Sequence, residues 1–271
     1  MFFLILAILS STGVSLALRI SNNHEHSLYG KFFCNYIICM VCALFYTPVF
    51  AWHETTVVLS SVNGMLLVAG LFFMQYCMRL SGIALTSLYG RLGVCVPFIL
   101  SVILFQEMPT MMQFFGIILA IISIFLFFYQ SKMSFQLGLS LIVYLLISGF
   151  GDTMSKLYQF YGQQELSGQY LLLSFMLAAL FSLILMIIKK QKLSFREIGF
   201  GLLIGIQNYF SSHFLLLSLN DIDAVIVYPT YAMATILTIS LCGYLFFKEK
   251  LDKKMIMTYI LIIIAIGLLN V

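Results

Sequence analysis

The sequence predicts an all-α integral membrane protein with ten transmembrane helices. Hydrophobic residues fill 62% of its 271 positions and charged residues only 9%, whereas soluble domains are about 25% charged. Apolar runs of about 20 residues, the length that crosses a bilayer, recur along the chain between short polar breaks. These runs are 2–20, 29–51, 56–78, 83–105, 111–129, 136–160, 168–188, 197–219, 222–246 and 255–270.

The apolar runs occupy nearly the whole chain, so we expect a multi-pass protein of the cell (plasma or inner) membrane with no separate soluble domain. The first run has no basic flank and no small-residue cleavage site, which favours a retained helix over a signal peptide. The formal net charge of +4 does not indicate a nucleic-acid partner, because the basic residues lie in short loops. The expected partners are the lipid bilayer and a small-molecule substrate, with a homodimer left open.

The chain reads as two copies of a five-helix unit, residues 1–130 and 131–271. A short polar turn, a span that opens near a tyrosine and a closing glutamate occur in both copies. The matching stretches are Leu80 to Ala84, Tyr89 and Phe105-Gln106-Glu107 in the first copy, and Leu219 to Asp223, Tyr228 and Phe247-Lys248-Glu249 in the second. Five spans is an odd number, so the second copy must be inverted. Inverted repeats typically place a substrate site near the midplane and operate by alternating access.

This layout resembles the drug/metabolite transporter superfamily, specifically its ten-helix EamA-type members. The resemblance covers the full length and rests on the five-plus-five layout, on Pro97 within the fourth run, and on Glu107 and Glu249 at the ends of the fourth and ninth. It implies a secondary transporter of a small metabolite that needs no cofactor. The sequence departs from the family pattern in lacking a tryptophan-glycine pair in the first span of each copy, and Pro229 lies nearer the start of its run than Pro97 does. The first span also lacks the glutamate of small multidrug-resistance relatives, which counts against cation-only export of that type.

Two charged residues within the apolar runs are the main candidates for function. Arg91 lies eight residues inside the fourth run and Asp152 lies in the sixth, where charges are costly and usually functional. One interpretation is structural: Arg91 pairs with Asp152, or Asp152 with Lys156 one turn away. The other is that Arg91 presents its planar fork to an anionic substrate group. Asp152 would then hold a substrate amine or carry a coupling proton.

Further polar residues form stripes on the predicted spans and extend the candidate substrate site. They are Asn63, Gln75, Tyr89, Asn208, Ser212, Tyr228 and Tyr231. Small and polar residues also form helix–helix interfaces in membranes, and this packing interpretation is preferred for Gly201 and Gly205. Because the runs 111–129 and 255–270 are almost wholly apolar, we expect these two spans to lie outside a polar cavity.

The sequence gives little support for metal or enzyme chemistry. His213 is the one histidine within a predicted span, and it is a second candidate for proton coupling, although a lone buried histidine is usually structural. Cys39 and Cys42 lack companion ligands, and His24 to His26 form a short turn, so we expect no metal. No HExxH, GxSxG or GxxxxGK[ST] motif occurs. A secondary transporter of a small polar or zwitterionic metabolite is favoured, with an integral membrane enzyme or a non-transporting scaffold as alternatives.

Membrane orientation is predicted from the loop charges. Twelve of the fourteen basic residues lie in odd-numbered loops, and the other two are Arg91 and Lys156. Basic loops favour the cytoplasm, so both termini should be outside, whereas the family resemblance favours termini inside. A reporter fused after Val271 should therefore show a non-cytoplasmic C-terminus, and a cytoplasmic one would contradict the charge argument.

Overall fold

A computed structural model describes residues 1–22, 28–128, 135–191, 193–247 and 253–270. These residues form ten α-helices and one short 3-10 helix, and the described ranges contain no strand. The α-helices are α1 (Phe2–Asn22), α2 (Leu28–Phe45), α3 (Glu54–Leu92), α4 (Cys95–Leu104), α5 (Met111–Phe128), α6 (Phe135–Tyr161), α7 (Ser167–Ile188), α8 (Phe195–Ser218), α9 (Ala224–Phe247) and α10 (Lys253–Leu269). The all-α prediction is confirmed.

Six helical segments among the described residues are long and apolar enough to cross a membrane. They are Phe2–Ser21, Glu54–Leu80, Gly138–Tyr161, Gln164–Ile188, Phe195–Ser218 and Ala224–Phe246. Shorter apolar helices cover Tyr29–Phe45, Tyr89–Leu104, Met111–Leu126 and Ile256–Leu269. The chain is therefore a multi-pass membrane protein. The exact count of ten spans and their inverted repeat stay predictions.

The chain divides into two compact units, and each unit is discontinuous in sequence. Unit 1 comprises Met1–Val68 and Met154–Asn220, and unit 2 comprises Ala69–Thr153 and Asp221–Val271. Each unit thus takes helices from both predicted repeats, 1–130 and 131–271. Chain segments far apart in sequence build the same packed unit.

Close helix packing in unit 1 depends on two glycines of α8. Helix α2 packs against α7 and α8, and α1 packs against α8. A Cβ on Gly201 would collide with Cys34, and one on Gly205 would lie 2.7 Å from the Asn35 carbonyl oxygen and from Ile38 Cβ. Neither collision can be relieved by rotating a flexible side chain. The packing interpretation of these glycines is confirmed.

A buried lysine joins α1 and α2 in unit 1. Lys31 is 1% exposed, and its ammonium donates a hydrogen bond of 2.7 Å to the Ser21 hydroxyl. The charge of Glu197 at the start of α8 also acts on Lys31. Lys31 is one of the basic residues that the sequence assigns to odd-numbered loops, whereas the structure buries it near the start of α2. Its ammonium lies instead at the C-terminal end of α1, where a positive charge is favourable.

Helices α5 and α8 each begin with a capping box, in which two side chains three residues apart accept from each other's backbone N–H groups. At α5, the Thr110 hydroxyl accepts from the Gln113 backbone N–H, and the Gln113 side chain accepts from the Thr110 N–H at 2.9 Å. Ser194 and Glu197 form the same reciprocal pair at α8. Each box satisfies N–H groups that the first helical turn leaves unpaired.

Helix α5 packs against α10 in unit 2. A Cβ on Gly116 would lie 3.1 Å from the Ala265 carbonyl oxygen, so the two backbones approach closely. Both helices also carry large apolar side chains on their outer faces, such as Phe115 and Ile263, which are 59% and 61% exposed. Such faces suit contact with lipid chains.

Helix α3 is helical from Glu54 to Leu92, but it cannot be a straight rod. In a straight helix Gly70 and Gly90 would lie about 30 Å apart. However, Gly70 lies against Ile147 of α6. The Gly90 carbonyl accepts a hydrogen bond of 3.4 Å from Ser148, which directly follows Ile147 in the same helix. Between these two contacts, Cys77 donates to the Ser140 carbonyl nearer the start of α6. The chain therefore doubles back between Cys77 and Gly90, where the sequence predicts the turn between the third and fourth spans.

The predicted fourth span is interrupted. Its helix stops at Leu92, Gly93 and Val94 form a turn, and α4 starts at Cys95. The Val94 N–H bonds the Arg91 carbonyl instead of continuing the α-helical pattern to Gly90, and Ser148 donates to the Gly90 carbonyl. Pro97 falls in the first turn of α4, where its missing N–H costs little. The sequence places Pro97 in the middle of the fourth run, and the break before α4 carries no signal in the apolar pattern.

The glycine packing of α8 can be tested with two neighbouring alanine substitutions. Gly201→Ala should lower the free energy of unfolding by about 1–3 kcal/mol, because the new methyl collides with α2. Gly199→Ala is the matched control: nothing lies within 4 Å of its Cβ position, so stability should stay equal or rise slightly. Thermal unfolding of both variants in detergent measures the difference, and equal stability would contradict the packing account.

Candidate functional site

The structure distributes the candidate residues over both units. Unit 1 contains Asn63, Asn208, Ser212 and His213, and unit 2 contains Gln75, Tyr89, Arg91, Asp152, Tyr228 and Tyr231. The two charged candidates thus share a unit. We describe unit 2 first because its candidates surround the interrupted span.

A glycine contact holds the interrupted span against α6. A Cβ on Gly149 would collide with the Gly93 carbonyl and with Val96, and a Cβ on Gly93 would lie 3.1 Å from the Gly149 nitrogen. Arg91 lies two residues before Gly93, and Asp152 lies three residues after Gly149. The two backbones therefore meet within one helical turn of both charged residues.

Arg91 and Asp152 interact through space without forming an ion pair. The positive charge of Arg91 acts on Asp152, but no nitrogen–oxygen distance of 4.0 Å or less joins the two side chains. Asp152 has no such pair with Lys156 either. The two ion pairs that the structural interpretation proposed, Arg91 with Asp152 and Asp152 with Lys156, are thus not seen as direct contacts. Both residues are half-buried.

Neither of these two side chains makes a hydrogen bond within the described residues, so neither charge is balanced by a direct contact there. A charge at membrane depth in this condition requires water or a ligand.

Tyr144 belongs to the same group, and the sequence analysis missed it. The charges of Arg91 and Asp152 both act on its hydroxyl. Tyr144 lies four residues before Ser148 and eight before Asp152, so it extends the polar stripe of α6 by one turn. Extending that stripe backwards would have found it, but a tyrosine in an aromatic-rich chain is a weak signal.

Helix α9 contributes Tyr228 to this group. The Tyr228 hydroxyl donates a hydrogen bond of 2.7 Å to the Asp152 backbone carbonyl, which joins α9 to α6. The next residue, Pro229, lies inside α9 and leaves the carbonyl four residues before it without a helical donor. Tyr89 and Tyr231 are half-buried in the same unit. The structure thus brings Arg91, Asp152 and Tyr228 together.

Glu107 fixes the start of α9. Its carboxylate accepts a hydrogen bond of 3.1 Å from the Val225 backbone N–H, at the second residue of the helix. A negative charge at a helix N-terminus is stabilising, because the first N–H groups have no helical partners. Gln106 adopts a positive φ of 55° just before it, which turns the chain at the end of α4. Glu107 therefore has a physical role in this unit.

Gln75 is the least explained candidate of unit 2. It is buried, and its side-chain nitrogen has no hydrogen-bond partner among the described residues. An unpaired buried amide is unfavourable by about 1–3 kcal/mol. We have no physical account of this cost from the contacts of Gln75.

The unit 1 candidates form hydrogen bonds between helices. Asn208 donates to the Asn35 side chain on α2 at 3.3 Å, and Asn63 donates to the Ser174 hydroxyl on α7 at 3.1 Å. Ser212 is half-buried and has no hydrogen bond within the described residues. Both asparagines therefore have structural partners, and no observation gives them a substrate.

His213 lies in an aromatic cluster of unit 1. Its ring stacks on Tyr209 with a centroid distance of 5.5 Å and an interplanar angle of 14°, and it also contacts Tyr46 and Phe214. Its side chain has no hydrogen bond to a described residue. Proton coupling through His213 stays a prediction with no geometric support beyond its position.

A metal centre is not seen in the described part of the chain. No group of three or more His, Cys, Asp or Glu side chains is placed to hold an ion there. Cys39 is fully buried and donates to the Gly205 carbonyl at 3.2 Å, which is a packing role. His24 to His26 and Glu249 lie outside the described residues.

Comparisons with known proteins give a family match over part of the chain. Residues 168–263 match the model of the Small Multidrug Resistance protein family. An uncharacterised protein of Haemophilus influenzae is 24% identical over 92% of this chain and 91% of its own length. A solved crystal structure of a protein superposes with a TM-score of 0.76 at 13% identity, covering 99% of this chain and 98% of that one.

These comparisons set the class of the protein. The crystal structure, at 13% identity, shows the same fold and nothing about activity. The partial family match, together with the apolar helices, indicates a membrane transporter of small molecules rather than an enzyme.

The role of Glu107 can be tested through stability. Glu107→Ala should lower the free energy of unfolding by about 0.5–2 kcal/mol, as expected for loss of a helix cap. Glu165→Ala removes an exposed glutamate from the 3-10 helix Gln164–Leu166 and should have little effect. Thermal unfolding at two salt concentrations measures both variants. Equal stability of the two would contradict the capping role.

Proposed function

We propose that this protein is a secondary transporter of a small zwitterionic metabolite in the cell membrane. The proposal includes membership of the EamA-type transporters, an inverted pair of five-helix repeats and alternating access. Arg91 would bind the anionic group of the substrate, and Asp152 would hold its amine or carry a coupling proton. The observation that carries the proposal is that Arg91 and Asp152 lie beside the break between α3 and α4 without an ion pair between them.

An interrupted span supports transport for a physical reason. Discontinuous helices in transporters typically border the substrate, because irregular backbone is tolerated at membrane depth only where protein or a wet cavity surrounds it. Here the break at Gly93 and Val94 begins two residues after Arg91.

The balance of charge favours a substrate with both signs. Arg91 and Asp152 act on each other through space, and neither is neutralised by an ion pair within 4.0 Å. A substrate with one anionic and one cationic group would satisfy both side chains together. A dianion would be repelled by the negative charge of Asp152, and a simple cation would be repelled by the positive charge of Arg91.

Substitution of Arg91 tests the proposed binding role. Arg91→Lys keeps the charge but loses the planar fork, so substrate affinity should fall about 10–100-fold, as for loss of a charge-assisted hydrogen bond. The probes are the protein L-amino acids and glycine betaine, measured by thermal shift of purified protein and then by uptake into proteoliposomes. Arg79→Lys is the matched control, since Arg79 is an exposed arginine of the same helix.

A double substitution separates binding from a structural role. If Arg91 and Asp152 serve only to balance each other, Arg91→Leu with Asp152→Leu should restore both stability and transport. Our proposal expects a folded protein that neither binds nor transports the probe. Wild-type transport by the double variant would contradict it.

A further inference from the structure

We propose that Tyr144 is a substrate-contact residue of the Arg91 site and that it helps to select the anionic group. This inference rests on the proposed function. It goes further by giving the site a third polar group, one that the residue pattern did not indicate.

Tyr144 is buried, and its hydroxyl has no partner among the described residues. The residue is 9% exposed, and no hydrogen bond joins its hydroxyl to a described residue. Buried tyrosines usually find a partner for the hydroxyl, so an unpartnered one beside two charges has a vacant donor position.

The absence of a side chain at Gly90 allows this placement. A Cβ on Gly90 would lie 2.9 Å from the Tyr144 hydroxyl oxygen and 3.1 Å from its Cε1 atom. The tyrosine tip thus rests on the backbone of the residue that precedes Arg91. The charges of both Arg91 and Asp152 act on it there.

The chemistry of the three groups is complementary. Arg91 offers N–H donors, and Tyr144 offers one O–H donor that rotates to suit its acceptor. A carboxylate accepts from both at once through its two oxygens. Arg91 attracts the anion by its charge, and Tyr144 donates one directional hydrogen bond. An anion without an acceptor atom facing the Tyr144 hydroxyl therefore binds less well.

Removal of the hydroxyl alone tests this role. Tyr144→Phe should weaken binding of the responsive amino acid or betaine about three- to tenfold, the value of one hydrogen bond, and should leave the unfolding temperature unchanged. Tyr158→Phe is the matched control on α6, because the Tyr158 hydroxyl donates to the Gln163 carbonyl at 2.8 Å. That variant should lose stability and keep its affinity.

Gly90→Ala provides a second, independent variant. The added methyl pushes the tyrosine tip aside, so affinity should fall in the wild-type background. In the Tyr144→Phe background the same methyl should have a smaller effect, since the hydroxyl is already gone. Additive effects of the two substitutions would contradict the proposed placement, because coupled neighbours deviate from additivity.

The outcomes separate this inference from the proposed function. Full affinity in Tyr144→Phe together with lost affinity in Arg91→Lys would overturn the role of Tyr144 and leave the transporter proposal standing. Full affinity in both variants, or no thermal shift of the wild-type protein by any probe, would overturn both. Reduced affinity in both variants with unchanged unfolding temperature is the result that we expect.

Discussion

The low dielectric of the bilayer is the constraint on which the rest of this structure depends. It forces the backbone into helices, because a peptide group without a partner is unfavourable by several kcal/mol in hydrocarbon. It also makes charged side chains such as Arg91 and Asp152 unfavourable unless water or a ligand meets them. Unit 2 accommodates both by interrupting a helix beside Arg91 and by packing that interruption against α6.

Glycine makes this arrangement possible at two places with different consequences. In α8, Gly201 and Gly205 allow α2 to approach, and the result is ordinary close packing. At the break between α3 and α4, Gly93 and Gly149 allow two backbones to meet. The same residue type therefore permits close helix packing in unit 1 and a close backbone contact near Arg91 and Asp152 in unit 2.

The fold class and several boundaries followed from sequence patterns. Hydropathy predicted all-α spans, and the polar stretch from Leu80 to Ala84 predicted the reversal that the contacts of Gly70 and Gly90 require. The interruption at Gly93 was missed because Gly93 and Val94 lie within an apolar run, where hydropathy gives no signal. The division into two units depends on contacts between distant segments, which local patterns do not encode.

The candidate site was predicted in part, for similar reasons. Arg91 and Asp152 were identifiable because charge at membrane depth is rare, and the structure places both in unit 2. Their lack of a direct ion pair depends on side-chain geometry and was not predictable. Asn63 and Asn208 are polar residues within apolar runs, as residues that line a cavity would be. The structure gives them hydrogen-bond partners on neighbouring helices instead. Polarity alone does not separate these two roles.

An experimental structure of the protein crystallised with a zwitterion that shifts its thermal unfolding would test the central claim most directly. The account predicts ligand density in contact with the Arg91 guanidinium, with the cationic group of the ligand towards Asp152. A direct Arg91–Asp152 salt bridge, with the ligand bound elsewhere or absent, would contradict it.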